Sequence, residues 1–277
     1  MSDALLARCT FPEGDVTCAV SGGADSLALL ILAVRAGCRV TAFHVDHGLR
    51  EGSAAEAHVV RDAARRYGAA FRAERVDVAR GPNLEARARA ARYAVLPPDV
   101  LTGHTADDQA ETVLLNLLRG AGLDGLAGMR PEGHPILALR RHETEAVCAA
   151  EGLTPVADPS NLDPVHRRNR VRHELIPLLN DIAQRDVVPV LARQAALLRD
   201  DAGALDARTP DATDASALAA APPALARRAV RRWLTEDHPP DAATVERVLA
   251  VARHQARATD AGHGRRVART DNVLRLE

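Results

Sequence analysis

The chain has 277 residues, of which 47% are hydrophobic and only 2% aromatic, and its formal net charge at pH 7 is −1. This length fits one large domain or two of ordinary size, with a packed core built mainly from Ala, Leu and Val. The near-neutral charge excludes a general positive field that would attract nucleic acid. All 36 residues counted as Lys or Arg are Arg, which excludes a lysine nucleophile or Schiff base in this protein.

Four cysteines are scattered along the chain, without a Cys-x-x-Cys pair: Cys9, Cys18, Cys38 and Cys148. This spacing excludes the usual zinc and iron–sulfur ligand sets. The first ten residues lack the apolar centre of a signal peptide, and no apolar stretch is long enough to cross a membrane. We therefore expect a cytoplasmic protein with reduced thiols and no membrane partner.

Strand and helix signals alternate over the first two thirds of the chain. The predicted strands are residues 16–20, 40–45, 71–76, 100–102 and 136–139, and the predicted helices are 25–36, 53–67, 83–96 and 107–119. Gly37, Gly68 and Gly120 stand at three helix ends, where a left-handed cap is expected. The alternation predicts an α/β fold with a doubly wound, mostly parallel sheet, which binds ligands at the carboxyl ends of its strands.

The last third of the chain predicts a smaller, mainly helical domain. Helical periodicity begins near residue 171, residues 206–215 have the composition of a linker, and helices are predicted over 224–234 and 242–256. Residues 265–276 alternate weakly and predict a short hairpin. Between Leu225 and Glu277, 11 Arg face 7 Asp or Glu, which indicates either a local basic surface or arginines on solvated helix faces.

The most informative motif is the hexapeptide of residues 21–26, Ser-Gly-Gly-Ala-Asp-Ser, which joins the first predicted strand to the first long helix. The start of a helix offers unpaired N–H groups and partial positive charge, and two glycines let an anion approach the backbone closely. The motif therefore predicts a cradle for phosphate or pyrophosphate. No lysine follows the glycines, which excludes the G-x-x-x-x-G-K-[ST] loop. An ordinary glycine turn with a Ser or Asp cap is the alternative.

Paired carboxylates begin the helix after the fourth predicted strand. Asp108 and Glu111 are three residues apart and share one helix face, which suits a bound ammonium or a metal ion. Thr105 with Asp108 also fits a capping box. Asp107 points elsewhere and is a candidate ligand for Mg²⁺.

Arginines at helical spacing are candidate partners for carboxylate or phosphate. Arg168 and Arg172 share a face, and a forked guanidinium suits either anion. Arg89 pairs at i,i+4 with Glu85 in a plain surface ion pair, or acts with Arg92 on an anion.

Taken in order, these segments resemble the tRNA(Ile)-lysidine synthetases, a family of PP-loop ATP pyrophosphatases. The resemblance covers roughly residues 16 to 180. It includes His-Val-Asp-His-Gly-Leu-Arg at 44–50, Gly-His-x-x-Asp-Asp-Gln-x-Glu-Thr at 103–112, Asp-Pro-Ser-Asn at 158–161 and Arg-Asn-x-Val-Arg at 168–172. The family usually has Arg-Pro-Leu-Leu where this chain has His134 and Pro135, so the contact of that arginine is lost here or made by Arg130 or Arg140.

The resemblance implies a cytoplasmic ligase with a reaction in two steps. ATP first adenylates the C2 oxygen of the wobble cytidine in an isoleucine tRNA with a CAU anticodon, and pyrophosphate leaves. The amine of free L-lysine then displaces AMP, and the product base, lysidine, pairs with A. The resemblance also implies a PP-loop ATP-binding catalytic domain over residues 1–184 and a small helical tRNA-binding domain over residues 185–277.

The resemblance further implies roles for individual residues. ATP is expected to contact Ser21, Gly22, Gly23, Ala24, Asp25, Ser26, His44, Gly103 and His104. The expected catalytic residues are Asp25, Ser26, Asp46 and Arg89; those around lysine are Asp108, Glu111, Arg168 and Arg172; and those on Mg²⁺ are Asp25 and Asp107.

Two other functions stay open as alternatives. A PP-loop tRNA thiolase adenylates a base and then delivers sulfur, but the cysteines here are scattered and lie away from the motifs. A non-catalytic adenine-nucleotide-binding module needs the phosphate cradle but not the paired carboxylates or the arginine cluster. The oligomeric state is also open, with a homodimer as one alternative.

Overall fold

The computed structural model describes residues 2–46, 48, 53–77, 81, 84–156, 163–236 and 239–277, without the side chains of residues 2, 53–55 and 84–86. The chain divides into two compact units, Met1–Arg199 and Asp200–Glu277. The predicted division between residues 184 and 185 lies in front of the helix Val188–Asp206, whereas the two compact units divide within that helix. A single long helix gives no break in periodicity that would mark such a division in the sequence.

The first unit begins with alternating strands and helices: α1 (Ser2–Leu6), β1 (Asp15–Ala19), α2 (Ala24–Arg35), β2 (Arg39–Asp46), α3 (Ser53–Arg66), β3 (Ala70–Arg75), α4 (Leu84–Val95), β4 (Leu101–Thr102) and α5 (Ala106–Leu118). It continues with α6 (Leu123–Leu126), a 3₁₀ turn (Pro131–Gly133), α7 (Arg141–Ala150), α8 (Arg167–Arg170), a π-helical turn (Val171–Leu175), α9 (Ile176–Ala183) and α10 (Val188–Asp206). The first four predicted strands and the four predicted helices are confirmed. The φ angles of Gly37, Gly68 and Gly120 are positive, as expected for left-handed caps.

The four strands form one parallel sheet in the order β3-β2-β1-β4. From β1 the chain moves outward to β2 and β3, and it then returns to place β4 on the other side of β1. Ala19 near the end of β1 pairs with both Phe43 and Thr102. In sheets of this kind, ligands bind where the strand order reverses, at the carboxyl ends of the strands. The segments that follow β1 and β4 meet at that point.

The sheet is buried on both faces, as is usual for parallel sheets. Side chains alternate along each strand, so every strand contributes to the core on both faces. Cys18 and Ala42 lie on one face, in the core that includes α2 and α3. Phe43 lies on the opposite face, with Leu96 and Val100. Residues 27–33 of α2 are all 0% exposed, so the helix that carries the hexapeptide is fixed inside the core.

The fifth predicted strand, residues 136–139, is wrong. These residues form turns, with the N–H of Leu137 donating to the carbonyl of His134 at 3.0 Å and that of Leu139 to Ile136 at 2.9 Å. Ile136 and Leu139 are nevertheless completely buried in the core around α2. A short apolar run signals burial, and burial alone does not distinguish a strand from a turn that packs onto a helix.

A further apolar cluster fixes α5 against the helices that follow it. Leu114 of α5 packs with Val171, Ile176 and Val188, which belong to the π-helical turn, α9 and α10. This packing places the charged face of α5 opposite the arginines of α8 and the π-helical turn.

The second unit holds α11 (Ala215–Ala220), α12 (Pro223–Leu234), α13 (Ala242–Ala252) and an antiparallel sheet of β5 (Ala258–Gly262), β6 (Arg265–Thr270) and β7 (Val273–Leu276), in the order β5-β6-β7. Its own core includes Val230, Leu249 and Val267, all 0% exposed. The hairpin predicted over residues 265–276 is confirmed as β6 and β7. The strand β5 was missed, and the helix predicted to reach residue 256 ends at Ala252.

Among the described residues, no helix combines the length and the apolar character that a membrane crossing requires.

Candidate active site

The hexapeptide forms a tight loop between β1 and α2. The backbone N–H groups of Ser21 and Gly22 donate to the Ser26 hydroxyl at 3.1 and 3.2 Å, and that hydroxyl donates to the Gly23 carbonyl at 2.9 Å. Gly22 has a φ of +93°, and a Cβ there would lie 3.1 Å from a methyl carbon of Val156. The loop therefore requires glycine at position 22 for its backbone conformation and for close packing.

The first turn of α2 is open to an anion. Its N-cap is Gly23, and no described side chain makes a capping hydrogen bond to it. The alternative of an ordinary Ser or Asp cap is therefore wrong. N–H groups at the start of a buried helix, without a side-chain acceptor, are the donors that a phosphate group would use.

Asp25 follows the glycines and has a partly buried carboxylate. The Thr144 hydroxyl donates to it, and the Arg141 Nε lies 3.7 Å away. Burial raises the pKa of Asp25 to about 6, and the nearby Asp108 charge adds to this, while the Thr144 hydrogen bond and Arg141 act against it. A carboxylate with a raised pKa gains from a further cation, which a metal ion or a substrate can supply.

Gly103, which follows β4, packs directly on this loop. A Cβ at Gly103 would lie 2.7 Å from the Asp25 carbonyl oxygen and 2.9 Å from its carbonyl carbon. The structure therefore gives Gly103 a packing role, because it lets the end of β4 approach the start of α2. The predicted contact of Gly103 with ATP stays a prediction.

A cluster of five charges lies beside the loop. The two predicted carboxylates of α5, Asp108 and Glu111, meet the two predicted arginines and a third: the Arg168 Nε lies 2.6 Å and the Arg172 Nε 2.7 Å from Glu111 oxygens, and the Arg141 Nη2 lies 3.3 Å from one oxygen of each carboxylate. Arg168 also bonds to Asp108 at 2.9 Å. Three guanidinium groups thus surround two carboxylates.

The arginines keep the Asp108 carboxylate ionised in spite of burial. Glu111 is 0% exposed. Burial by itself would raise the pKa of Asp108, but Arg168 and Arg141 hold it below its usual value. The capping box predicted for Thr105 and Asp108 is confirmed, with the Thr105 N–H donating to an Asp108 oxygen at 2.8 Å. One oxygen of Asp108 therefore caps α5, and the other faces the arginines.

Asp107, the second predicted ligand of Mg²⁺, is bound by another arginine. Arg140 donates to its two oxygens at 3.0 and 3.1 Å, and the N–H of Arg141 donates at 2.8 Å. Burial works against these bonds, but together they lower the pKa of Asp107. Among the described residues, no group of three or more His, Cys, Asp or Glu side chains could hold a metal ion. The role of Asp107 stays a prediction.

Two histidines meet at the end of β4. The Thr102 hydroxyl oxygen lies 2.7 Å from Nδ1 of His104 and 2.6 Å from Nδ1 of His134. Burial lowers the pKa of His104 to about 4, and it also lowers that of His134. Both rings are therefore neutral near pH 7.

The remaining predicted residues lie around this centre. The Asp46 carboxylate accepts from the Gly48 N–H at 2.9 Å, at the end of β2. His44 is 2% exposed and its Nδ1 lies 2.9 Å from the Val20 carbonyl, just before the hexapeptide. The Arg89 guanidinium stands over the Tyr93 ring at 4.9 Å, and its charge contributes to the lowered pKa of His104 and of His134.

Three residues of this centre were not predicted from the sequence: Thr102, Arg141 and Thr144. Only Arg141 carried a signal, as an arginine that follows the His-Pro-Ile-Leu segment; Thr144 is an ordinary helix residue in the sequence. Several motif residues lie outside the described residues, namely His47, Leu49, Arg50, the side chain of Glu85 and the Asp-Pro-Ser-Asn segment at 158–161, as does Asn83 at the start of the predicted helix 83–96.

Residues 3–179 match the PP-loop domain family, and residues 214–274 match the TilS substrate binding domain. A tRNA(Ile)-lysidine synthase of Nocardia farcinica is 46% identical over 240 residues, which cover 80% of this chain and 76% of that protein. One from Thermobifida fusca is 43% identical over 274 residues, which cover 87% and 84%.

The chain belongs to the tRNA(Ile)-lysidine synthase family.

Membership of this family confirms the resemblance seen in the motifs, and the PP-loop domain implies the use of ATP. A solved structure, the U34-tRNA thiolase NcsA from Methanococcus maripaludis with its [4Fe-4S] cluster, is also similar in fold. Its TM-score is 0.57 at 15% identity, with 72% of this chain and 78% of that chain covered. At this identity the likeness extends to the fold alone.

Proposed function

We propose that this chain is an ATP-dependent ligase that joins free lysine to C2 of the wobble cytidine in tRNA-Ile with a CAU anticodon. ATP is converted to AMP and pyrophosphate, and the product base is lysidine. The observation that carries the proposal is the uncapped phosphate loop at the reversal point of the sheet, with paired carboxylates and three arginines beside it. Family membership of the chain supports the same reaction.

In the first step, the loop of residues 21–26 binds the phosphates that leave as pyrophosphate. The N–H groups of the first turn of α2 and the Ser21 hydroxyl donate to phosphate oxygens, and the Ser26 hydroxyl joins them by turning its proton from the Gly23 carbonyl to the phosphate. These donors stabilise negative charge as it develops. The loop is already held in shape by its own hydrogen bonds and by Gly103. Little reorganisation is therefore needed when the adenylate is transferred to the cytidine oxygen.

Mg²⁺ would neutralise charge on the leaving pyrophosphate. We assign its binding first to Asp25, because this partly buried carboxylate has a raised pKa and its closest described cation is 3.7 Å away. Asp107 is a less favourable ligand, since Arg140 already donates to both of its oxygens.

In the second step, the five-charge cluster binds lysine. Asp108 and Glu111 hold an ammonium group of lysine, and Arg168 or Arg172 holds its carboxylate. In the structure these four side chains are bonded to one another. Lysine binding therefore replaces one set of ion pairs by another. One guanidinium leaves the Glu111 oxygens and binds the lysine carboxylate, and the lysine ammonium binds Glu111 instead. Such an exchange conserves charge-assisted hydrogen bonds, so it favours a ligand that brings both charges.

The tRNA is bound in part by the second unit, which carries the substrate-binding match over residues 214–274. Part of its arginine excess is paired, with Arg228 and Arg232 each 2.5 Å from an Asp206 oxygen and Arg227 2.5 Å from Glu246. Arg253, Arg265 and Arg266 also lie near carboxylates, but over residues 225–277 the 11 Arg outnumber the 7 Asp or Glu. This excess supplies positive charge for phosphate contacts, so binding should weaken as salt is raised. We place this activity in the cytoplasm, where tRNA, ATP and lysine are present together.

The thiolase alternative is disfavoured by the thiols themselves. Burial raises the pKa of Cys9 to about 11, of Cys18 to about 12 and of Cys148 to about 11, and burial also raises that of Cys38. The thiols of Cys9, Cys38 and Cys148 donate to backbone carbonyls. Protonated, hydrogen-bonded thiols are poor nucleophiles and poor cluster ligands.

The decisive experiment is incubation of the protein with ATP, radiolabelled lysine and total tRNA. The proposal requires label in an isoleucine tRNA and one AMP released for each lysine joined. ATP binding without lysine-dependent AMP release would instead support the nucleotide-binding module, and sulfur incorporation would support the thiolase.

A further inference from the structure

The hydroxyl of Thr102 stands between two imidazole rings at the end of β4. Its oxygen lies 2.7 Å from Nδ1 of His104, 2.6 Å from Nδ1 of His134 and 3.3 Å from the Gly133 carbonyl. The two rings meet edge to face at 77°, with their centres 4.7 Å apart. His134 stands where the family resemblance leads us to expect arginine, so this contact is a feature of this chain.

Counting protons limits how the two rings can be protonated. A threonine hydroxyl has one proton and can give it to only one Nδ1 atom. The other neutral ring must then carry its proton on Nδ1 and donate to the hydroxyl, which leaves its Nε2 as a bare lone pair. If Thr102 gives its proton to Gly133 instead, both rings have a bare Nε2. Every neutral arrangement therefore offers at least one proton acceptor, and this acceptor includes Nε2 of His104 when Thr102 donates to His134 or to Gly133.

His104 lies next to the proposed lysine site, because it directly precedes Thr105, the N-cap of the helix that carries Asp108 and Glu111. The charges that act on it come from Asp108 on α5, Arg168 on α8, Arg89 on α4 and the neighbouring His134. Asp108 and Arg168 belong to the proposed lysine site. Within the described part of the chain, no hydrogen bond reaches Nε2 of His104.

His134 is held more closely by the protein itself. Its Nδ1 lies within hydrogen-bond distance of the Thr102 hydroxyl. A hydrogen bond with the Gly133 backbone and the charges of Arg89, Asp108 and Glu132 also influence its pKa. It is thus suited to fix the Thr102 hydroxyl, and through it the His104 ring.

We propose that Nε2 of His104 accepts the proton that the attacking lysine amine loses, and that Thr102 and His134 are positioning residues that keep this nitrogen bare. The inference rests on the proposed function. The amine nitrogen forms its bond to C2 as the C2–O bond to AMP breaks, and the electron pair of that bond leaves with AMP. The amine proton passes to Nε2 of His104, and His104 then gives it to water.

Burial of the ring supports this role. A ring with a pKa of about 4 is neutral near pH 7, so its lone pair is available throughout the physiological range. A base this weak takes the proton only once bond formation to C2 has made the amine nitrogen acidic, and the ring then gives the proton to water.

The test separates the two chemical steps. Pyrophosphate release measures adenylation, and single-turnover transfer of labelled lysine to preformed adenylated tRNA measures the second step. For His104→Asn we expect lysine transfer slower by about 100-fold or more, and a much smaller decrease in adenylation, to which His104 contributes only as an expected ATP contact. His104→Ala should regain transfer when free imidazole is added, a response that a purely structural defect would not give.

The positioning residues have their own variants. Thr102→Val should slow lysine transfer and leave adenylation nearly unchanged, and Thr102→Ser should restore it. The matched control is His142→Asn, which alters an exposed histidine on α7 and should change neither step.

Two results would overturn the inference. Equal loss of both steps in His104→Asn would mean that His104 binds ATP, and unchanged lysine transfer would mean that it takes no proton. Failure of the wild-type protein to adenylate tRNA would instead contradict the proposed function, so the two failures are distinguishable.

Discussion

Single residues at the active site are constrained by very close backbone packing. Gly103 shows this most clearly, because the space that a side chain would need is filled by the backbone of Asp25. The sequence predicted Gly103 as a residue at the nucleotide. Its packing role was invisible there, since it depends on a contact between the ends of two strands that are far apart in the chain.

Gly103→Ala should distort the phosphate loop. A Cβ 2.7 Å from the Asp25 oxygen forces the backbone to shift, at a cost of about 1–3 kcal/mol in the free energy of unfolding. We expect weaker ATP binding by calorimetry and slower pyrophosphate release. The control is Gly203→Ala inside α10, where a Cβ meets nothing within 4 Å and the helix should gain about 0.5–1 kcal/mol. Normal ATP binding by Gly103→Ala would contradict this packing role.

Asp25→Asn should abolish adenylation yet stabilise the ligand-free protein above pH 6. The pKa of Asp25 rises from 3.8 to about 6 on folding, so between these values the folded chain holds a proton that the unfolded chain has lost. Wild-type stability therefore falls as pH rises through this window, by an amount on the order of 2–3 kcal/mol. Asparagine does not ionise and escapes this loss.

Chemical denaturation between pH 4 and 8, without ATP or Mg²⁺, checks this prediction. The difference in the free energy of unfolding between the variant and the wild type should grow from pH 4 to 6 and then stay constant. A difference that does not change with pH would show that Asp25 carries no raised pKa.

At the level of elements, the charged centre depends on how three helical segments meet. α5 supplies Asp108 and Glu111, α7 supplies Arg141, and the junction of α8 with the π-helical turn supplies Arg168 and Arg172. A π turn is rare and is often found at functional sites. The spacing within α5 was predictable from the helical repeat, but the π turn and the approach of α7 were not.

Glu111→Gln should affect both stability and lysine binding. It removes one carboxylate from among three guanidinium groups. We expect the free energy of unfolding to fall by roughly 3 kcal/mol. This value is at the low end for a broken buried ion pair, because the arginines reach solvent. Loss of a charge-assisted contact should raise the lysine concentration needed for half-maximal rate by about 10–100-fold.

Lysine titrations of the second step measure this effect, with pyrophosphate release followed in parallel. The control is Glu145→Gln, which changes an exposed carboxylate on α7 and should alter neither quantity. Equal loss of adenylation in Asp25→Asn and Glu111→Gln would contradict the division of roles between the two carboxylates.

At the scale of the whole molecule, the chain forms two compact units with separate apolar cores. The core of the first unit surrounds α2 and holds the phosphate loop. The core of the second unit lies between its helices and the three-stranded sheet. The sequence predicted this sheet only in part, because β5 is short and its apolar residues do not alternate. Separate cores allow separate functions.

Cavity-forming substitutions in each core should separate these functions. Leu249→Ala in the second unit and Leu29→Ala in α2 both alter side chains that are 0% exposed, and each should cost about 2–5 kcal/mol in stability. We expect Leu249→Ala to weaken tRNA binding in filter assays while ATP binding persists. Leu29→Ala should weaken ATP binding first. Equal loss of tRNA binding and ATP binding in both variants would show that these two functions are not divided between the two units.

The sequence by itself determined the alternation of strands and helices, the phosphate loop and the family. Each of these follows from residues close together in the chain, through turn chemistry, helical repeat and motif order. The tertiary structure decided which charges meet. Asp107 and Asp108 are neighbours in sequence, yet one is bound by Arg140 and the other faces the charged centre, because successive helix residues point about 100° apart and only packing sets what lies opposite. For the same reason, only the fold placed His134 beside His104.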